Sequence, residues 1–258
     1  MLRNLPLCLS IVLSIAGAIA PASASPVKNV VLVHGAFVDG SGWRPVYDLL
    51  TQKGYHVTLV QQPLTSFEDD VAAAKRIVAM QDGPCILVAH SYGGAIITEA
   101  GKDPKVSALV YIAAHALDTG ETETGNGKLF PPAYKSLQQT ADAFTYIEPA
   151  RFPEDFAADL PRPEAEFEAH AQMLTAARVF SSPAGDPAWK TKPSWYMVAK
   201  ADRIINPDLE RMYAKRARSH TIEIDGASHS VYQSRPAEVA AMIEEAARSG
   251  GARYSQTR

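Results

Sequence analysis

Cys85-Ile86-Leu87-Val88-Ala89-His90-Ser91-Tyr92-Gly93-Gly94 decides how this chain is read. An apolar run, Cys85 to Val88, ends at a serine set among small residues, and a helix-forming stretch follows. The pattern predicts a strand, a sharp turn and a helix, with the serine at the corner. Such a corner strains the serine backbone and lifts its hydroxyl clear of the sheet, where it can act as a nucleophile. Strand and helix can approach this closely only if the residues two positions either side are small. Here they are Ala89 and Gly93, so an alanine stands where the pentapeptide G-x-S-x-G has its first glycine. The competing reading is a serine that caps a helix N-terminus. A nucleophilic serine also requires a base, an acid to orient that base, and donors for the developing oxyanion.

Outward from this point the chain alternates between strands and helices. Residues 27–33 form an apolar, valine-rich strand that leads into His34-Gly35-Ala36-Phe37 and the glycine-rich Asp39-Gly40-Ser41-Gly42. An amphipathic helix over 43–52 ends at Gly54, and 56–60 is a second strand. Ser66 caps a helix reaching about Met80, with Glu68, Asp69 and Asp70 in the first turn, where negative charge suits the helix dipole. Residues 85–89 and 106–113 are the third and fourth strands. Strands joined by helical crossovers predict an α/β fold with a doubly wound, mostly parallel sheet, whose ligands sit at the carboxyl ends of the strands. From about 115 to 192 proline, glutamate and alanine become frequent and strand-like runs vanish. This segment is expected to be an inserted helical cap, with helices over 154–160 and 163–179. Strands resume at 194–200 and 220–225, with helices over 207–218 and 236–248.

Composition narrows the class. Residues 1–24 read as a secretory signal peptide: a short positive start, an apolar stretch from Leu5 to Ala20, and Ala22-Ser23-Ala24 as cleavage site. A retained anchor is the competing reading of that stretch. Export to a periplasmic or extracellular location is expected, with residues 25–258 forming a single domain that does not engage the membrane after cleavage. The 47% apolar content suffices for a real core, and a net charge of −3 with no basic stripe argues against nucleic acid. Cys8 lies in the leader, which leaves Cys85 as the only thiol of the mature chain and precludes an internal disulfide. No two histidines have the i, i+4 spacing of a metal pair, and no metal or cofactor is expected. Oligomeric state is left open.

Two further residues stand just beyond predicted strands. Asp202 follows the 194–200 strand, with a helix beginning at Pro207; its structural reading is a turn former or an ion pair with Arg203. His229 follows the last strand in Gly226-Ala227-Ser228-His229, where an exposed loop histidine is the alternative. Ser91, Asp202 and His229 keep the chain order nucleophile, acid, histidine, each after a different parallel strand. His229 would take the Ser91 proton, and Asp202 would hold the imidazole tautomer. Tyr92 supplies one oxyanion amide, and Ala36 is the best second donor with Phe37 behind it.

These segments resemble the α/β-hydrolase superfamily, particularly its small capped esterases akin to the plant methyl esterase and hydroxynitrile lyase group. The resemblance rests on Val30-Val31-Leu32-Val33-His34-Gly35-Ala36, the serine elbow, Val110-Tyr111-Ile112-Ala113-Ala114 with Asp118-Thr119-Gly120, Asp202 with its proline, and Gly226-Ala227-Ser228-His229. It implies an α/β-hydrolase fold and a cofactor-free Ser-His-Asp hydrolase that acts through an acyl-enzyme on a small-molecule ester, with lactone and amide as open alternatives. It also makes Asp118 the reserve acid. Hydroxynitrile lyases of this group carry threonine and lysine where this chain has Gly35 and Ser230, which disfavours carbon-carbon cleavage. A non-catalytic small-molecule receptor on the same scaffold is the reading from another class. His34 and His90 read as structural, and His115 as a pocket or a solvated residue. Phe130, Phe152, Phe156, Phe167, Met173 and Phe180 belong to the cap core or roof a pocket.

Overall fold

The computed structural model describes residues 25–256. The expected leader, with Cys8, lies outside them. In chain order the elements are β1 (Asn29–Val33), α1 (Arg44–Gln52), β2 (His56–Val60), α2 (Phe67–Ala79), β3 (Cys85–Ser91), α3 (Gly93–Ala100), β4 (Val106–Ala114), α4 (Glu123–Leu129), β5 (Leu137–Gln139), β6 (Phe144–Ile147), α5 (Phe152–Asp155), α6 (Arg162–His170), β7 (Thr175–Ala176), β8 (Ser194–Ala199), α7 (Pro207–Arg216), β9 (His220–Ile224), α8 (Val231–Ser234) and α9 (Pro236–Gln256).

Six strands make one sheet in the order β2-β1-β3-β4-β8-β9, every neighbouring pair parallel. The valine-rich β1 explains why both faces are covered. Alternate side chains point to opposite sides of a strand, so Val30 and Leu32 pack with Trp43, Leu50 and Ile243. Val31 and Val33 pack with Val71 and Ile96 on the other side. Burying one such side chain contributes about 1.5–3 kcal/mol. Cys85 opens β3 in the core, where burial pushes its thiol up to about 12, in keeping with a packing residue.

The segment between β4 and β8 is not wholly helical. Beside α4, α5 and α6 it carries a three-stranded antiparallel sheet, β5-β6-β7, that the sequence pattern does not announce. The helix expected over 163–179 stops at His170 because distant groups capture the following residues. Gln172 bridges β6, accepting from the Ile147 N–H at 2.9 Å and donating to the Ile147 carbonyl at 2.8 Å. The Met173 and Ala176 amides donate to the carbonyls of Phe37 and Leu64. Over 154–160 only the end of α5 is helical. There Asp155 is drawn inward to accept from Ser136 Oγ at 2.6 Å and Arg203 Nε at 2.9 Å.

The β3–α3 corner is tight. Ser91 has a φ of 53°, a left-handed conformation that a non-glycine residue adopts only under constraint. Two residues on, a Cβ at Gly93 would fall 2.5 Å from the His34 carbonyl oxygen, so β1 and α3 meet with no room for a side chain. Between them Tyr92 is anchored to α2. Its hydroxyl donates to Asp70 Oδ2 at 2.7 Å, and Asp70 Oδ1 accepts from the Leu64 N–H at 2.8 Å. Ser66 caps α2 by accepting from the Asp69 N–H at 3.1 Å, which fixes the turn that carries Asp70.

Two outcomes follow from this corner. Gly93→Ala is expected to lower the unfolding free energy by about 1–3 kcal/mol in a urea titration, because the obstructing atom belongs to backbone. Gly127→Ala, in α4 with nothing within 4 Å of the added methyl, should stabilise by about 0.5–1 kcal/mol in the same assay. The second concerns pH. Burial pushes the Asp70 carboxyl up to about 6 despite its two donors. The folded state therefore holds that proton more tightly than the unfolded chain does, near 4. The resulting stability is fully present below about pH 4 and lost as pH rises to about 6. Over that window wild type should lose about 1–2 kcal/mol relative to Asp70→Asn, with the difference constant above it, as read by urea unfolding at successive pH values.

Candidate active site

Three loops at the carboxyl edge of the sheet bring Ser91, Asp202 and His229 together. Ser91 Oγ lies 2.8 Å from His229 Nε2, and His229 Nδ1 lies 2.6 Å from Asp202 Oδ2. A carboxylate only accepts, so Nδ1 carries the imidazole proton and Nε2 is left to accept from the serine hydroxyl. Parallel pairing of β8 with β9 sets the second distance: it aligns the ends of the two strands, and the Ala201 N–H donates to the Ala227 carbonyl beyond them at 2.9 Å. Asp202 is buried and its other oxygen, Oδ1, accepts the amides of Ile204 and Ile205 at 2.7 and 2.9 Å. Arg203, the alternative ion-pair partner of Asp202 in the sequence, points instead to Asp155.

Neighbouring polar groups hold the imidazole in place. His90 is fully buried, and burial keeps its ring neutral, well below the ordinary histidine range. Its Nε2–H donates to the His229 carbonyl at 2.9 Å, and its ring packs 4.5 Å from the His229 ring. Phe156 meets His229 edge-on at 4.7 Å and stacks on Phe152 at 4.6 Å. Both phenylalanines are therefore packing residues under the site. Behind Asp202 lies Glu210, fully buried, with Oε2 accepting from the Ala199 N–H at 3.1 Å. Burial, and then the charge of Asp202, push its carboxyl well above the usual range. His34 is structural as well: Nδ1 contacts the Gly35 carbonyl at 2.8 Å, and burial lowers its ring to about 4.

The two amides expected to receive an oxyanion are unengaged. Among the described residues no acceptor takes the N–H of Ala36 or Tyr92. The Phe37 amide, the runner-up, is committed to Thr175 Oγ1 at 3.1 Å, which leaves Ala36 as the second donor. Ala36 and Ser91 line one cavity of about 270 Å³, walled by Phe37, Phe130, Phe180 and Leu209. Phe167 lines a separate groove of about 390 Å³ that Ser91 does not border, while Met173 pairs with the backbone of Phe37. Asp118 does not approach His229. Burial pushes its carboxyl up, but pairing with Lys190 at 2.7 Å and the Thr119 N–H it accepts together outweigh that and hold it low.

His115 is buried on the cavity wall with Glu123, a residue the sequence reading does not single out. Its only sequence signal is an acidic residue in the first turn after Thr122, which reads as ordinary helix capping. Among the described residues no group of three or more His, Cys, Asp or Glu is placed to hold a metal ion.

Comparison with known proteins agrees with this fold. An alpha/beta hydrolase from Aspergillus novofumigatus, nvfD, is 22% identical over 239 residues, spanning 84% of this chain and 96% of its own. A pyrethroid hydrolase from Sphingobium faniae JZ-2 shares the fold with a TM-score of 0.73 at 23% identity, over 86% of this chain and 97% of that one. The methylesterase MES16 from Arabidopsis does so with a TM-score of 0.71 at 19% identity, over 85% and 98%. A family model described as the alpha/beta hydrolase family matches residues 30–242, well over half of the sequence. The chain belongs to the alpha/beta hydrolase family.

Proposed function

We propose that this protein hydrolyses a carboxylic ester through an acyl-enzyme on Ser91. The observation that carries the reading is the continuous hydrogen-bonded line from Asp202 through His229 to Ser91 Oγ, ending at the wall of a cavity. As Oγ attacks the ester carbonyl, its proton passes to His229 Nε2, and the imidazolium is stabilised by Asp202. The carbonyl oxygen becomes an oxyanion facing the amides of Ala36 and Tyr92. Collapse of the tetrahedral intermediate breaks the bond to the alcohol, which leaves with the proton from Nε2. Water, deprotonated by the same nitrogen, then attacks the acyl-enzyme and frees the acid. Lactones and amides present the same carbonyl to the same atoms.

Two points narrow the class. The cavity lies near the lower end of the range for ligand pockets, which suits a small or medium ester. Structural relatives named as a pyrethroid hydrolase and a methylesterase support a hydrolytic reading. Export is part of the proposal, with a mature chain that begins after Ala24 and works in the periplasm or outside the cell.

Ser91→Ala should reduce turnover of p-nitrophenyl esters by about 10⁴-fold or more, and Asp202→Asn by about 10⁴-fold, with the fold intact by circular dichroism. A fluorophosphonate should add once, on the peptide containing Ser91. Wild-type rates in Ser91→Ala would defeat the assignment.

A further inference from the structure

The cavity wall holds an acid that the ester reaction does not use. Glu123 stands at the first position of α4, buried in the wall of the cavity that Ser91 also lines. Its Oε2 is 3.4 Å from His115 Nε2, and its Oε1 is buried with no hydrogen-bond partner among the described residues. A polar atom left in that state costs about 1–3 kcal/mol, so a partner supplied by a ligand would be strongly selected. Of the other polar residues of the wall, Tyr134 is partly buried and carries the competing hydroxyl donor. Thr124 Oγ1 donates to the Phe180 carbonyl, and Asn206 is occupied in capping α7 and donating to the Pro131 carbonyl. Lys128 is exposed.

The direction of the hydrogen bonds behind Glu123 can be followed from a group that only donates. Asn126 Nδ2 donates to Tyr213 Oη at 3.0 Å, which leaves the tyrosine proton for His115 Nδ1 at 3.2 Å. The His115 proton is then on Nε2, facing Glu123 Oε2. Burial lowers the His115 ring to about 3, so the ring remains neutral and supplies no counter-charge. Burial likewise pushes the Glu123 carboxyl well above the usual carboxylate range. That direction favours the protonated, donating form of the carboxyl, whose Oε1 has no partner among the described residues.

We propose that Glu123 is a specificity residue, donating from its carboxyl to a neutral oxygen acceptor of the substrate, a carbonyl, ether or hydroxyl oxygen remote from the scissile ester. The substrate class is thereby narrowed to oxygen-functionalised esters in a pocket otherwise walled by Phe37, Phe130, Phe180 and Leu209. The inference rests on the ester-hydrolase reading of Ser91.

The test measures kcat/KM for p-nitrophenyl esters of equal chain length, either unsubstituted, carrying one keto group at successive positions, or carrying one amine. Wild type should favour the best keto ester over the plain one by about ten- to a hundredfold. Glu123→Gln, which retains a donor, should keep most of that ratio, whereas Glu123→Leu should bring it to about one. Glu123→Met serves if the leucine variant does not fold. A merely structural role would slow both esters together and leave the ratio unchanged, which overturns the proposal. So would a wild type without keto preference, a ratio lost instead in Tyr134→Phe, or a preference for the amine that Glu123→Gln abolishes. Hydrolysis of plain esters without discrimination sinks this inference alone, while absence of any ester hydrolysis sinks the reading beneath it.

Discussion

The contact between the end of β1 and the start of α3 constrains everything at the site. β1 and β3 pair in parallel with Val33 beside Ala89, so the turns that follow the two strands emerge together. One turn supplies Ala36 and the other Ser91 and Tyr92. They fit only because Gly35 and Gly93 lack side chains: a Cβ on Gly35 would lie 2.8 Å from Ser91 Cβ. The same close packing accompanies the left-handed backbone of Ser91 and brings the free amides of Ala36 and Tyr92 to the same end of the sheet.

How much of this was legible in the sequence depends on whether a feature is local. The inner parallel strands could be read because each is a short apolar run whose burial on both faces leaves no polar face to disguise it, as in Val30 to Val33. Ser91, Asp202 and His229 could be read because each stands at or a few residues beyond the end of a strand, and strand ends in a parallel sheet share an edge. The choice between Asp202 and Asp118 was already less local. Both follow strands, and they are separated by partners: two amides and an imidazole for one, a lysine for the other.

The inserted segment was poorly legible for the same reason reversed. Residues 171–179 have helix-compatible composition, yet their backbone groups bond to Phe37 and Leu64, more than a hundred residues earlier in the chain. No periodicity within the segment encodes those acceptors. β5 gives no signal either, since all three of its residues are exposed and present no buried face. Glu123 was missed because a glutamate early in a helix is ordinary on a surface. It becomes unusual only when α4 is laid over the sheet edge and the carboxyl is removed from water.

Three buried carboxyl groups near the site make a final point about charge. Asp202, Glu210 and Glu123 are similarly hidden. They differ in the donors that face them. Asp202 accepts from two amides and an imidazole, while Glu210 accepts from the Ala199 amide alone. Glu123 has only the distant His115 nitrogen. Asp202 is thus the carboxyl of the three on which most donors converge. A second carboxylate at Glu210 would sit against the first in a medium that screens poorly, and both its burial and the charge of Asp202 oppose it. Glu123 lacks compensation of any sign and is better suited to give a proton to a hydrogen bond than to hold a charge. The same functional group thus stands in three different settings near one site, and the donors that face each carboxyl set them apart.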